Sequence, residues 1–140
     1  MSERTRWDAL VEGVVEVPAQ KTLGFELAPS PDPQQEIALS WTVPAELCNS
    51  AGVLQGGVMA AFADALLGGA AAAHLPADRY PVLADMHLVL LRPAPAGMQL
   101  TGRGRMLKAG TRVLFAQAEI FDGQGRLIAR ATGTGIPATA

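Results

Sequence analysis

One carboxylate stands alone in the most apolar part of this chain. Asp64 is the single formal charge among the 31 residues from Leu47 to Ala77, and an ionised carboxylate among apolar neighbours is costly unless a partner or a shifted pKa compensates. Such groups concentrate at functional sites. Upstream in the same stretch stand Asn49, Gly52, Gln55, Gly56 and Gly57. Two glycines where a helix begins let a ligand approach the backbone, and the free N–H groups of a helix start favour an acceptor carrying negative charge. Gln55 adds a side-chain amide donor, and Asn49 can either donate to a ligand or hold the loop. These are the parts of a site that polarises a carbonyl and stabilises an oxyanion.

Nine residues separate Gln55 from Asp64, about 13 Å along a helix axis. Asp64 therefore cannot reach a carbonyl held by Gln55 and Gly56 of its own chain. A two-fold dimer removes the difficulty: Asp64 of one chain faces Gln55 and Gly56 of the other, giving two equivalent sites across the interface.

The elements that must position these residues can be read from apolar periodicity. Trp7, Leu10, Val11 and Val14 fall at helical spacing and predict a short amphipathic helix over about 3–15, with Ser2 or Thr5 as its cap and Pro18 beyond its end. Residues 22–27 and 36–43 read as strands, the second with Ile37, Leu39, Trp41 and Val43 on one face. A long apolar helix follows over about 55–73, closed by Pro76. Strands are expected over 82–91, 98–107, 111–121 and 126–135, joined by turns short enough to make neighbours antiparallel. The order gives an α+β fold in which one antiparallel sheet packs a face on the long helix, within a single domain spanning 1–140.

Composition narrows the function classes. Hydrophobic residues make up 49%, charged residues 17%, and the net charge is -2. Nucleic acid is not an expected partner, and the sparse surface charge leaves apolar area for a subunit interface. The first residues lack the apolar core of a secretory signal and one cysteine cannot form an internal disulfide, so the cytoplasm is the expected location. The apolar run is long enough to span a bilayer. It consists mainly of Ala and Gly, however, and Asp64 near its centre would cost about 2.5–3.5 kcal/mol there, so a helix buried in a globular core is expected instead.

With the ordered set Asn49, Gly52, Gln55, Gly56, Gly57 and Asp64 between two strands and four, the sequence resembles the hotdog-fold acyl-CoA thioesterases of the PaaI-like group, within the 4-hydroxybenzoyl-CoA thioesterase superfamily. The resemblance runs from Leu23 to about Gly135 and includes Leu91-Arg92-Pro93, Lys108-Ala109-Gly110-Thr111 and Ala129-Arg130-Ala131-Thr132-Gly133. It implies a curved antiparallel sheet wrapped around the central helix, homodimers joined through the strand over 82–91, and dimers that pair into tetramers. It also implies hydrolysis of an aryl- or medium-chain acyl-CoA to free acid and CoA, with no metal and no cofactor besides the coenzyme A of the substrate. Asp64 becomes the general base or the nucleophile. The Gly56 N–H polarises the thioester carbonyl beside Gln55, and Asn49 helps place the carbonyl or the water. Gly57, Leu83, Lys108, Gly110, Thr111 and Arg112 are the expected substrate contacts, the last four as a turn suited to CoA phosphates.

Two departures from the family pattern stand out. Many members have His where this chain has Gln55, and Gln cannot become cationic. Some place Ser or Thr near the start of the strand after the helix, where this chain has Val82-Leu83-Ala84. Among the remaining reactive types, Cys48 has no histidine close in sequence and reads as a buried thiol. His74 reads as a partner of the helix C-terminal dipole. Asp85 and His87 share a strand face, which the resemblance places at a dimer seam. The alternatives are a hotdog hydratase or dehydratase, which needs a His with a carboxylate in the pocket, and a non-catalytic acyl-CoA binding dimer.

Overall fold

Thr5 opens the first helix. Its hydroxyl accepts from the Asp8 N–H at 3.0 Å while the Asp8 carboxylate accepts from the Thr5 N–H at 2.9 Å, a reciprocal cap. The computed structural model describes residues 3–140, so the alternative cap Ser2 lies outside the described residues. Helix α1 (Arg6–Val11) is shorter than the expected 3–15, and of its apolar face Trp7 is buried whereas Val11 and Val14 are exposed. Pro18 corrects a second expectation. It begins helix α2 (Pro18–Leu23) rather than merely following α1, at a first-turn position where a missing N–H costs nothing. The strand expected over 22–27 is thereby reduced to β1 (Glu26–Leu27).

The central helix α3 (Gly56–Ala72) occupies the expected span, with Gln55 as its N-cap. Five longer strands surround it: β2 (Ile37–Thr42), β3 (Arg79–Leu90), β4 (Gln99–Ala109), β5 (Leu114–Phe121) and β6 (Leu127–Thr139). β5 starts three residues later than expected because 110–113 form the turn, where the Gly110 N–H donates to the Val113 carbonyl. β3 and β6 extend beyond their expected ends because Arg79 pairs opposite Thr139. All neighbours are antiparallel, in the order β1-β2-β4-β5-β6-β3.

Helix α3 packs against β2, β3, β4, β5 and β6, so the sheet curls around it. The approach to β4 depends on two glycines. A Cβ on Gly102 would meet Leu66 Cδ1 at 2.4 Å, and one on Gly104 would meet the Leu66 carbonyl oxygen at 2.3 Å. Phe62, fully buried, sits with Trp41 and Phe25 at ring-centroid distances of 5.2 and 5.0 Å. Such a ring contributes about 1.5–3 kcal/mol by burial alone. Among the described residues no helix is long and apolar enough to cross a membrane.

The ends of β3 fix the geometry that matters for chemistry. It is the last strand of the sheet and carries a free edge, with Val82, Val89 and Leu90 exposed. Because β3 runs back along α3, its last residues meet the helix start: a Cβ on Gly56 would lie 3.0 Å from Leu90 Cδ1. Its beginning lies towards the helix C-terminal end.

Candidate functional site

The loop before α3 is built to present the helix start. The Asn49 Oδ1 accepts from the Ala51 N–H at 2.9 Å and the Val53 N–H at 3.4 Å, and the Gly52 N–H donates to the Asn49 carbonyl at 3.0 Å. Gly52 has φ +75°, a left-handed conformation that glycine adopts without strain. The loop is then pinned to the β3–β4 connection by the Leu54 N–H, which donates to the Ala94 carbonyl, and to the turn before it by the Gln55 N–H, which donates to the Leu47 carbonyl. Asn49 thus holds the loop with its oxygen and leaves its amide N–H groups free.

At the helix start the Gln55 carbonyl accepts from the Val58 and Met59 N–H groups. The Gly56 and Gly57 N–H groups lie in the first turn, too early to reach a helical carbonyl, and have no partner among the described residues. The Gln55 side chain is exposed and does not cap the helix, so its amide is also free. A Cβ on Gly57 would meet nothing within 4 Å. The arrangement offers backbone and amide donors at the positive end of a 17-residue helix, which suits an oxygen that gains negative charge.

Asp64 lies two turns further along. The helix is buried in the core along most of its surface, as expected, and keeps one narrow open face, on which Gly57 and Asp64 are exposed in the single chain. The carboxylate has no hydrogen bond or ion pair among the described residues, and its apolar surroundings raise its pKa above the ordinary carboxyl value by desolvation. Beside it opens a cavity of about 300 Å³, bounded by Asp64 and Gly68 on α3, Trp7, Leu10 and Val15 near the N-terminus, and Leu83 on β3. The N-terminal wall was not legible as part of a site. Trp7 and Leu10 show by their spacing that they face something apolar, but not that the contact leaves a cavity.

The predicted residues fall into three groups. Asn49, Gln55, Gly56 and Gly57 gather at the helix start, and Asp64 and Leu83 share the cavity. Lys108, Gly110, Thr111 and Arg112 form the β4–β5 hairpin, with Lys108, Thr111 and Arg112 exposed. That hairpin belongs to the cavity end of the sheet, since Ala109 pairs with Leu114, Leu114 with Gly135 and Gly135 with Leu83. The helix start lies at the opposite end, under Leu90. No single chain brings the three groups together.

Cys48 and His74 have partners within the chain. Cys48 Sγ, half-buried, lies 3.4 Å from the Pro44 carbonyl. His74 pairs its Nε2 with the Gln34 carbonyl at 3.0 Å rather than with the helix end; the Gln34 amide takes the Ala73 carbonyl there, a correction to the dipole reading. Asp85 and His87 border a shallow depression on the sheet with Thr132 and Thr134, away from Asp64.

Residues 51–129 match the sequence profile described as the thioesterase superfamily. The chain belongs to that superfamily. A Pseudomonas aeruginosa protein that carries an esterase name is 30% identical over 102 residues, covering 73% of this chain and 75% of the relative. A Ralstonia eutropha protein described as a thioesterase related to phenylacetic acid degradation superposes with TM-score 0.84 at 27% identity, over 94% of this thioesterase-superfamily chain and 98% of its own. The Escherichia coli PaaI protein from the phenylacetic acid degradation operon superposes with TM-score 0.84 at 20% identity, over 96% and 94%. A Streptococcus mutans protein bound to acetyl-CoA does so with TM-score 0.73 at 16% identity, over 82% and 89%. The α+β architecture is thus the hotdog fold, in its PaaI-like form.

Proposed function

We propose that this protein hydrolyses an acyl-CoA thioester to a free acid and CoA, at two sites shared between the subunits of a homodimer. The observation that carries the reading is Asp64: a carboxylate with no partner among the described residues, pKa raised by its surroundings, on the open face of the helix that begins with two free N–H groups. Superfamily membership and the acetyl-CoA bound to the Streptococcus mutans neighbour support thioester chemistry on this fold.

The free edge of β3 supplies the geometry. Antiparallel pairing of this edge with its twin sets the Leu83 end of one strand beside the Leu90 end of the other. Leu83 shares the cavity with Asp64, and Leu90 stands over Gly56. Asp64 and the β4–β5 hairpin of one subunit are thereby carried towards the helix start of its partner, within reach of a single thioester. Lys108, Thr111 and Arg112 then offer donors to the CoA phosphates.

In this arrangement the thioester carbonyl accepts from the Gly56 N–H and the Gln55 amide, while Asp64 takes the proton of the attacking water. A carboxyl with a raised pKa is better matched to proton abstraction near neutral pH than an ordinary one. Thiolate leaves as the tetrahedral intermediate collapses. The test is thiol release from a panel of acyl-CoAs by the parent and by Asp64→Asn. Release by the parent alone supports the reading; equal release by both removes Asp64 from the chemistry.

A further inference from the structure

Two adjacent glycines in α3 are glycine for different reasons. A Cβ on Gly69 would meet Trp7 at 2.9 Å and the Ile37 Cδ1 at 3.1 Å, so the absence of a side chain there lets the N-terminal helix and β2 close on α3. A Cβ on Gly68 would meet nothing within 4 Å. Glycine inside a helix lowers helical propensity, and at Gly68 no close packing within the chain is gained in return. What the missing side chain leaves is room in the cavity.

That room lies in a telling place. Gly68 is one turn beyond Asp64 on the same helix face, and both border the cavity. The α3 residues lining it run from Asp64 to Ala72, about 12 Å along the axis, so Gly68 stands halfway between the reactive carboxylate and the far end. The cavity walls are mostly apolar, with Trp7, Leu10 and Leu83 among them, and Arg6, Glu16 and Gln20 also border it.

We infer that Gly68 is a specificity-determining residue, the gap through which the acyl group passes from Asp64 into the distal half of the cavity. The inference rests on the thioesterase reading above and specifies its substrate class. The acyl group has an apolar body that extends more than one helical turn past the carbonyl, as a medium-length chain or a ring-bearing group does, and acetyl leaves the distal half empty.

The experiment compares kcat/KM for acetyl-, butanoyl-, hexanoyl-, octanoyl- and benzoyl-CoA in the parent, Gly68→Ala and Gly68→Leu. The parent is expected to favour the longer or ring-bearing groups over acetyl by about tenfold or more. Gly68→Leu shifts that ratio towards acetyl by about tenfold or more, and Gly68→Ala shifts it less in the same direction. Both variants gain helical propensity, and a melting curve shows that they fold. An unshifted profile in Gly68→Leu overturns the inference while leaving the thioesterase reading intact. So does loss of the dimer in that variant by light scattering, which would assign the gap to subunit packing. If the parent releases no thiol from any of these substrates, the thioesterase reading fails and this inference falls with it.

Discussion

Asp64 and Asp122 are the same residue type under opposite terms. Asp122, in the β5–β6 turn, is almost fully buried, and both its oxygens are used: Oδ1 accepts from the Gln124 and Arg126 N–H groups at 2.9 Å each, and Oδ2 from the Arg126 Nε at 2.7 Å. The Arg126 backbone N–H leads the interactions that hold its carboxyl below the ordinary carboxyl value. Asp64 is exposed, accepts nothing among the described residues, and is held above that value by desolvation. A carboxylate that completes a turn serves the fold. One left unpaired beside a cavity fits the catalytic role proposed above.

Substitution at each position should separate the two roles. Asp64→Asn keeps the size and removes the basicity, so kcat should fall by about 10²-fold or more while KM stays near the parent value. Its stability should move the other way. A carboxyl whose folded pKa is raised contributes most while pH is below the unfolded value, and that contribution is lost as pH rises through the folded one. Asp64→Asn should therefore melt at or above the parent temperature at neutral pH. A variant that loses stability while keeping turnover would reverse the assignment.

The carbonyl-polarising side should respond nearly as strongly. Gly56→Pro removes the N–H at a first-turn position that proline favours, its Cβ needs the exposed Leu90 side chain to give way slightly, and Gln55 at φ -59° and ψ 133° already has the backbone that precedes a proline. Turnover should drop about 10²- to 10³-fold in a folded protein, measured by thiol release beside a melting curve. Gln55→Ala removes one neutral donor and should cost about 10- to 100-fold. If Gln55→Ala hydrolyses as fast as the parent, the carbonyl is held by the backbone alone.

Asp122→Asn should leave kcat/KM unchanged and lower the melting temperature. A carboxyl with a depressed folded pKa stabilises the protein above its unfolded value and loses that contribution as pH falls through the folded one. The difference in melting temperature between parent and variant should therefore narrow in acid. The smallest effect concerns the parent's rate profile: kcat/KM should rise with pH in a single step shifted upward from the ordinary aspartate value, with no second step near pH 6.5 because Gln55 does not titrate.

The legible parts were those written in local sequence. α3 was located within one residue at each end because Gly56-Gly57 and the apolar run punctuate it, and the Asp122-Gly123-Gln124-Gly125 turn announced itself by residue type. Pro18 misled because a proline ends one helix and starts another with the same chemistry. Val14 fits the period of a helix that stops at Val11, and Val11 itself ends up exposed. In the site, the spacing of Asp64 and the Gly56 start led to the expectation of a site shared between subunits, and the structure has both residues on α3, eight positions apart. The sequence could not show the N-terminal wall of the cavity, since Trp7 meets Gly69 only through the folding of distant segments.

The central claim is that Asp64 of one subunit works with Gly56 of the other, and hybrid dimers test it directly. Asp64→Asn and Gly56→Pro chains, each nearly inactive alone, are co-expressed so that subunits mix. With shared sites, a hybrid dimer carries both defects in one site and neither in the other. Random mixing makes half the dimers hybrid, so the mixture should recover about a quarter of the parent's thiol-release activity. If each site lay within one chain, every site would carry a defect. Activity no higher than that of the separate variants, in a mixture shown by mass spectrometry to contain hybrids, would contradict the account.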